Sequence, residues 1–260
     1  MDVRGKAAIV TGSGSAGGIG RSTAIHLAQH GAAGVVVNYS NPRSEGKAAA
    51  VAAEVERAGA RACLHRADVS DDRQCRAMVD AAVHAFGRLD ILVNNAATTV
   101  RVRYEDLEAL TDEIWDRILT VNLKGTFYCI RAAAPHLAAS GEGAIINVAS
   151  VAGVRAVGAS SIPYAASKAA VINMTMLLAR ALAPRVRVNC VTPGFVAGQW
   201  MEESLGPDRY EQAAERTRQR IPMGRVATPD DVAHAILSLI TSDFITGHNL
   251  ICDGGYLIRD

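Results

Sequence analysis

Short β-branched runs alternate with longer, Ala-rich stretches of helical period along all 260 residues. That alternation is satisfied by parallel strands laid side by side, each followed by a helix that crosses back over a face of the sheet. The periodicity predicts strands at Ala7–Thr11, Gly34–Tyr39, Ala60–His65, Leu89–Asn94, Gly143–Ala149, Val186–Val191 and Asn249–Cys252. It predicts helices at Gly18–His30, Arg43–Ala58, Asp71–Phe86, Asp112–Ala138, Ile162–Ala183 and Pro229–Ile240. The strands read as continuous apolar runs, as a sheet covered on both faces requires. The expected fold class is therefore α/β, a Rossmann-type doubly wound parallel sheet of about seven strands with helices on both faces, forming one domain over residues 1–260. Thr228-Pro229-Asp230-Asp231 carries a helix start, and Ser70 before Asp71-Asp72 reads as another N-cap. Residues 199–219 look inserted before the last helix, and read either as a substrate lid or as an ordinary surface helix.

Apolar residues make up 49% of the chain but aromatic ones only 5%, so the core is built from Ala, Val, Ile and Leu. The net charge is +1, from 27 basic and 26 acidic residues that are interspersed, which argues against nucleic acid and anionic membrane as partners. The opening residues MDVRGKAAIVTG lack the pattern of a secretory signal, and no uninterrupted apolar run reaches spanning length. A cytoplasmic protein is expected. Five scattered cysteines (Cys63, Cys75, Cys129, Cys190, Cys252) without a C-x-x-C pair suit a reducing compartment rather than a disulfide framework. His26 and His30 have the spacing of a zinc-helix motif, but Leu27 stands where that motif needs Glu, so they read as surface histidines. No metal site is expected.

Between the first strand and the first helix lies Thr11-Gly12-Ser13-Gly14-Ser15-Ala16-Gly17-Gly18-Ile19-Gly20. Glycines there let the backbone turn tightly and approach a pyrophosphate, which the free N–H groups of the helix N-terminus then hold. A phosphate loop would need a lysine, and none occurs between Lys6 and Lys47. A nucleophile elbow would need glycine two residues before and two after a serine, which neither Ser13 nor Ser15 has as G-x-S-x-G.

Tyr164 and Lys168 lie four apart at the start of a helical segment and so share one face. A nearby ammonium favours the phenolate and lowers the tyrosine's pKa, and such a phenol can supply the proton a carbonyl gains with hydride. Ser150 ends a strand and Asn122 sits in a helix; strand C-termini are where open α/β sheets bind ligands.

Together, Thr11-Gly12 with Gly18-Ile19-Gly20, Asn94-Asn95-Ala96-Ala97, Asn122, Ser150, Tyr164-x-x-x-Lys168 and Pro193-Gly194 resemble the short-chain dehydrogenase/reductases. The tail Ile245-Thr246-Gly247 with Asp253-Gly254-Gly255 is similar to that family's C-terminal signature, and the nearest subgroup is that of the 3-oxoacyl-(acyl-carrier-protein) reductases. The resemblance implies Tyr164 as general acid and base, Lys168 as its tuner and ribose ligand, Ser150 as a hydrogen-bond donor to the substrate oxygen, and Asn122 as holder of a relay water. It implies a dinucleotide held by Gly12, Ser13, Gly18, Ile19 and Gly20, met at the adenine by Asp68 and Val69. Asn95, Ala96 and Ala97 would line it, and Pro193, Gly194 and Val196 would flank the nicotinamide. The family also implies a homotetramer. Four departures bear on substrate and phosphate grip: five residues between Thr-Gly and Gly-Ile-Gly instead of three, Ala97 where Asn-Asn-Ala-Gly ends in glycine, one more residue between Ser150 and Tyr164, and Gly198 in place of a threonine after Pro-Gly.

The second strand ends at Asn38-Tyr39-Ser40, where an NAD-selective site carries an acid for the ribose 2′-hydroxyl. Asn38 and Ser40 can donate hydrogen bonds to a 2′-phosphate and Arg43 can add charge, so NADP(H) is expected ahead of NAD(H). The expected reaction is reversible hydride transfer between a nicotinamide and a small carbonyl or alcohol, acyl-thioesters included. The competing readings are an idle dinucleotide-binding sensor and a dehydratase or epimerase, the latter usually needing a larger C-terminal substrate domain. Thr98, Arg101, Arg103, Val151, Gly153, Arg155, Trp200 and Met201 are candidate pocket residues; both loop arginines read as either anion contacts or solvated side chains.

Overall fold

Seven parallel strands form one sheet in the computed structural model, which describes residues 1–258. In chain order the elements are β1 (Ala7–Val10), α1 (Ile19–Gln29), β2 (Gly34–Tyr39), α2 (Glu45–Arg57), β3 (Arg61–Arg66), α3 (Asp72–Phe86), β4 (Ile91–Asn94), α4 (Asp112–Leu119), α5 (Thr126–Ala139), β5 (Gly143–Val148), α6 (Ile162–Leu182), β6 (Val186–Pro193), α7 (Gln199–Leu205), α8 (Pro207–Arg220), α9 (Pro229–Thr241) and β7 (Asn249–Cys252). The strand order is β3-β2-β1-β4-β5-β6-β7. The winding direction reverses at β1 and β4, which pair through Ala8 and Ile91, and the crevice beyond their C-terminal ends is where such sheets hold ligands.

Successive strand residues point to opposite faces, so each central strand feeds two cores. Ala8, Val10, Val35, Val37, Ile91 and Val93 pack with α1, α2 and α9. Ile9, Val36, Leu92 and Ile145 pack on the other side with α3, α5 and the end of α6. The continuous apolar runs are thus buried on both faces for β1, β2, β4 and β5. At the edge, β3 departs from that rule: Arg61, His65 and Arg66 lie on a largely exposed strand.

Two local expectations need correction. The stretch expected as one helix over Asp112–Ala138 is two helices joined by a π-helical turn at Thr120–Gly125. Gly125 sits there against the Val69 carbonyl, 2.8 Å from where a Cβ would stand, and the Thr126 hydroxyl donates to the Asn122 carbonyl at 2.8 Å. Such one-residue widenings re-aim side chains and recur at functional sites. The cap of α3 is Asp71, which accepts from the Arg73 N–H, rather than Ser70. Residues 199–219 fold as α7 and α8, broken at Gly206, whose φ is +77°. Thr228 does cap α9, with reciprocal bonds to Asp231.

By length and composition α6 is apolar enough to cross a membrane, but Lys168 and Arg180 interrupt it, and it carries Tyr164 in its first turn and packs beside β6. His26 is not a free surface side chain either. It lies between α1 and α9, with Nε2 3.1 Å from Asp230 and its ring edge-on to His234. Among the described residues no group of three or more metal-ligating side chains forms.

Candidate active site

The turn after β1 is held by polar bonds that leave its far side open. Gly12 has φ +63°, and a Cβ there would meet the Ala96 backbone at 3.0 Å. A Cβ on Gly20 would stand 2.6 Å from the Asn95 amide, so only glycine lets the helix start come this close. Asn95 donates to the carbonyls of Thr11 and Gly12, and the Thr11 hydroxyl accepts from the N–H groups of Asn95 and Ala96. Gly17 and Gly18, by contrast, face open space. Gly18 caps α1 without a side chain, and the first turn has no acid, so the helix N–H groups and dipole are free for an anion.

A cavity of about 730 Å³ runs from this cradle along the strand ends to α7. Gly12, Gly18, Ile19, Gly20, Asn38, Ser40, Asp68, Val69, Asn95, Ala96, Ala97, Ser150, Tyr164, Lys168, Pro193, Gly194 and Val196 all line it. Its length, its uncapped helix and its small-residue floor fit a dinucleotide. Thr11, quoted in the motif without a role of its own, locks the turn; sequence reasoning missed Thr120 and Arg117, which line the cavity from the π-helical turn and the end of α4. Only a prior expectation of the widened turn would have singled out the last two.

Ser13 and Tyr39 are not in the wall. The Ser13 hydroxyl donates to the Val10 carbonyl at 2.7 Å and accepts from the Asn38 N–H, so the longer turn folds inward against β2 rather than toward a phosphate. Gly14 completes that packing, close against the Cβ atoms of Ala48 and Tyr39. Asn38 borders the cavity, but its amide is committed. Its oxygen accepts from the Gly12 N–H at 2.9 Å and its nitrogen donates to the Ala67 carbonyl at 3.0 Å. The expectation that it donates to a 2′-phosphate fails, because burial forces both ends to bond within the chain.

Tyr164 and Lys168 are both buried on the first turns of α6. Burial pushes the phenol above its ordinary pKa, while a hydrogen bond from Ser150 and the attraction of Arg101 pull it back. Lys168 acts less directly than expected. Its Nζ donates to the Val148 carbonyl at 2.8 Å and lies 5.7 Å from the Tyr164 ring centre. Loss of water lowers its pKa to about 8. Asn122 stands behind the wall rather than in it. Its amide nitrogen donates to the Thr98 carbonyl and the Ser167 hydroxyl, both at 3.0 Å, and its oxygen accepts from the Thr98 N–H. Ser167 in turn donates to the Tyr164 carbonyl at 2.7 Å, so Asn122 ties the loop after β4 to the first turns of α6.

The far end is closed by α7. Trp200 and Met201 line the cavity, and the Trp200 ring centre lies 6.5 Å from that of Tyr164. Arg101 donates to the carbonyl and hydroxyl of Ser204 at 3.2 and 2.9 Å, fastening α7 to the loop after β4. Arg103 points away, paired with Glu105.

The family model described as enoyl-(acyl carrier protein) reductase matches residues 12–257. The ketoacyl reductase 2 assigned to the granaticin polyketide synthase of Streptomyces violaceoruber is 44% identical over 95% of this chain and 94% of its own. The 3-oxoacyl-(acyl-carrier-protein) reductase FabG of Thermotoga maritima is 36% identical over 99% of this chain and 100% of its own. The 4-formylbenzenesulfonate dehydrogenase of Comamonas testosteroni is 41% identical over 98% of this chain and 99% of its own. Among solved structures, NAD+-bound xylitol dehydrogenase superposes with a TM-score of 0.87 at 29% identity, covering 98% of this chain and 100% of its own. The strand order, the cavity and matches of this length converge: the chain belongs to the short-chain dehydrogenase/reductase family and is an NAD(P)(H)-dependent oxidoreductase.

Proposed function

We propose that the chain interconverts a ketone or aldehyde and an alcohol, with Tyr164 as the group that gives and takes the oxygen's proton. One observation carries this reading: the Tyr164 phenol and Ser150 both stand in the wall of the same cavity that the glycine cradle opens. Gly18, Ile19 and Gly20 would hold the pyrophosphate, Asp68 and Val69 the adenine side, and Pro193, Gly194 and Val196 the nicotinamide side. The nicotinamide supplies or accepts the hydride. Ser150 and Tyr164 orient the carbonyl oxygen and deliver its proton. Lys168 binds the ribose side and keeps positive charge behind the phenol; Asn122 positions the Tyr164 turn through Ser167. An idle sensor would have no need of Ser150 beside the buried Tyr164 and Lys168 in one cavity wall, which disfavours that alternative.

The substrate class we favour is the 3-oxoacyl type, on the strength of the names carried by the Streptomyces and Thermotoga relatives. NADP(H) is the preferred dinucleotide, because β2 ends at Tyr39-Ser40 with no acid to repel a 2′-phosphate. We further infer a cytoplasmic homotetramer, since α5 and α6 expose Phe127, Met176 and Leu177. The test follows NADPH oxidation by the purified protein with acetoacetyl thioester and with simple ketones. Steady oxidation with at least one of them is expected. Tight NADPH binding without oxidation of any carbonyl would restore the sensor.

A further inference from the structure

Among the described residues, Arg101 forms no ion pair. All its hydrogen bonds go to neutral acceptors on α7: Nε to the Ser204 carbonyl and hydroxyl, and Nη2 to the Met201 sulfur at 3.8 Å. Its sequence neighbour Arg103, by contrast, has Glu105 at 3.5 Å. Of the five N–H donors a guanidinium carries, those on Nη1 have no partner within the described residues. The group lies outside the cavity's lining, against its α7 end. It touches Met201, which lines the wall beside Trp200, and it is close enough to attract the Tyr164 oxygen. Partial burial lowers its pKa, while the side chain stays exposed to solvent.

We propose that Arg101 binds an anionic group on the substrate, and that the enzyme selects carbonyl compounds carrying a carboxylate or similar oxyanion beyond a short apolar spacer. This rests on the oxidoreductase reading above. With the carbonyl held at Ser150 and Tyr164, a spacer lies against Trp200 and Met201, and its anionic end reaches the open edge of the guanidinium. The planar fork suits an oxyanion in two-point contact, which a lysine does not reproduce. Ser204 already fixes the fork, so little side-chain freedom is lost when the anion binds.

The test uses matched pairs differing only in charge: para-formylbenzoate and its methyl ester, and acetoacetate and methyl acetoacetate, each with NADPH. The wild type is expected to prefer the anionic member by roughly 10-fold or more in kcat/KM, the scale of a charge-assisted hydrogen bond, chiefly through KM. Arg101→Gln should erase the preference by raising KM for the anions, with a much smaller effect on the esters; Arg101→Lys should keep part of it. Equal use of both members by the wild type, with NADPH still oxidised, overturns the anion contact and leaves oxidoreduction standing. Equal losses on anions and esters in both variants also overturn it, and make Arg101 a strut for α7. Oxidation of NADPH by none of the four compounds, nor by acetoacetyl thioester, overturns both readings.

Discussion

The side-chain oxygen of Asn38 accepts the backbone N–H of Gly12 at 2.9 Å, binding the end of β2 to the turn after β1. Its nitrogen faces the carbonyls of Ala67 and His65 at 3.0 and 3.4 Å. Asn38→Asp therefore does not act as a cofactor switch. It keeps the acceptor for Gly12 but turns an anionic oxygen toward two carbonyls, at a cost on the order of 3 kcal/mol in unfolding free energy. Ser40, exposed at the cavity rim, is where an introduced acid meets the ribose. Ser40→Asp should lower kcat/KM for NADPH by on the order of tenfold relative to NADH, with a urea midpoint close to wild type. A wild type that already favours NADH, or a cofactor shift in Asn38→Asp without loss of stability, would contradict this assignment.

Tyr164→Phe keeps the ring that packs beside Trp200 and removes only the hydroxyl. Turnover should fall by roughly 10²–10⁴-fold, the span of general acid catalysis, while NADPH affinity stays within about twofold. Matching losses in rate and affinity would mean that the phenol acts in binding.

The architecture was open to reading because its signals are local and repeated. A β-branched run of four to six residues, doubly buried, looks apolar throughout, and β1, β2, β4 and β5 are of that kind. The cavity lining was legible for a related reason, since strand C-termini fall next to motifs that mark themselves with Gly, Asn and Pro. What escaped depends on where a side chain turns. Nothing in Thr11-Gly12-Ser13-Gly14 says that Ser13 folds back onto Val10, or that Asn38 bonds to the turn instead of facing outward. The π-helical turn at Asn122 was equally hidden, because the helical period continues on both sides of one extra residue. The Lys168 contact escaped too: spacing of four places it on the tyrosine's face, but its reach to Val148 depends on how α6 sits on β5.

Reduction of a carbonyl requires the protonated phenol, and burial raises the Tyr164 pKa above its ordinary value. The proton is thus retained across neutral pH, and reduction should decline only in alkaline buffer, where alcohol oxidation gains. Arg101 opposes the shift by stabilising the phenolate. Arg101→Gln, assayed with a neutral ketone, should move the alkaline limb of kcat/KM to higher pH. A limb near pH 8 that stays in place would assign it to Lys168, whose pKa is lowered to about 8.

Leu177 is 65% exposed and Met176 48% exposed on α6, and only 33% of that helix's most apolar window is buried within the chain. Polar substitutions on such a face change association rather than folding. Light scattering should give a mass near four times 27.4 kDa for the wild type. Met176→Glu with Leu177→Glu should lower that mass while the far-ultraviolet circular dichroism is unchanged. A wild-type mass of 27.4 kDa at micromolar concentration would refute the assembly.

Lys168 offers a test in which stability and activity move in opposite directions. Its pKa falls from 10.5 in the unfolded chain to about 8 in the fold, because burial penalises the ammonium. Below about pH 8 both states hold the proton, and the folded state bears the whole cost of the buried charge. Between about 8 and 10.5 the unfolded chain binds more protons than the folded one, so stability rises with pH and the cost disappears. At 1.36 kcal/mol per pKa unit that cost is roughly 3 kcal/mol, reduced by the bond to Val148 that any neutral replacement forfeits. Lys168→Met should therefore lose turnover, yet melt above the wild type near neutral pH, with the gap closing as the pH rises toward 10. Parallel melting curves for the two proteins across that range would mean that the ammonium is well solvated in the folded chain, and that its charge is not held in reserve behind Tyr164.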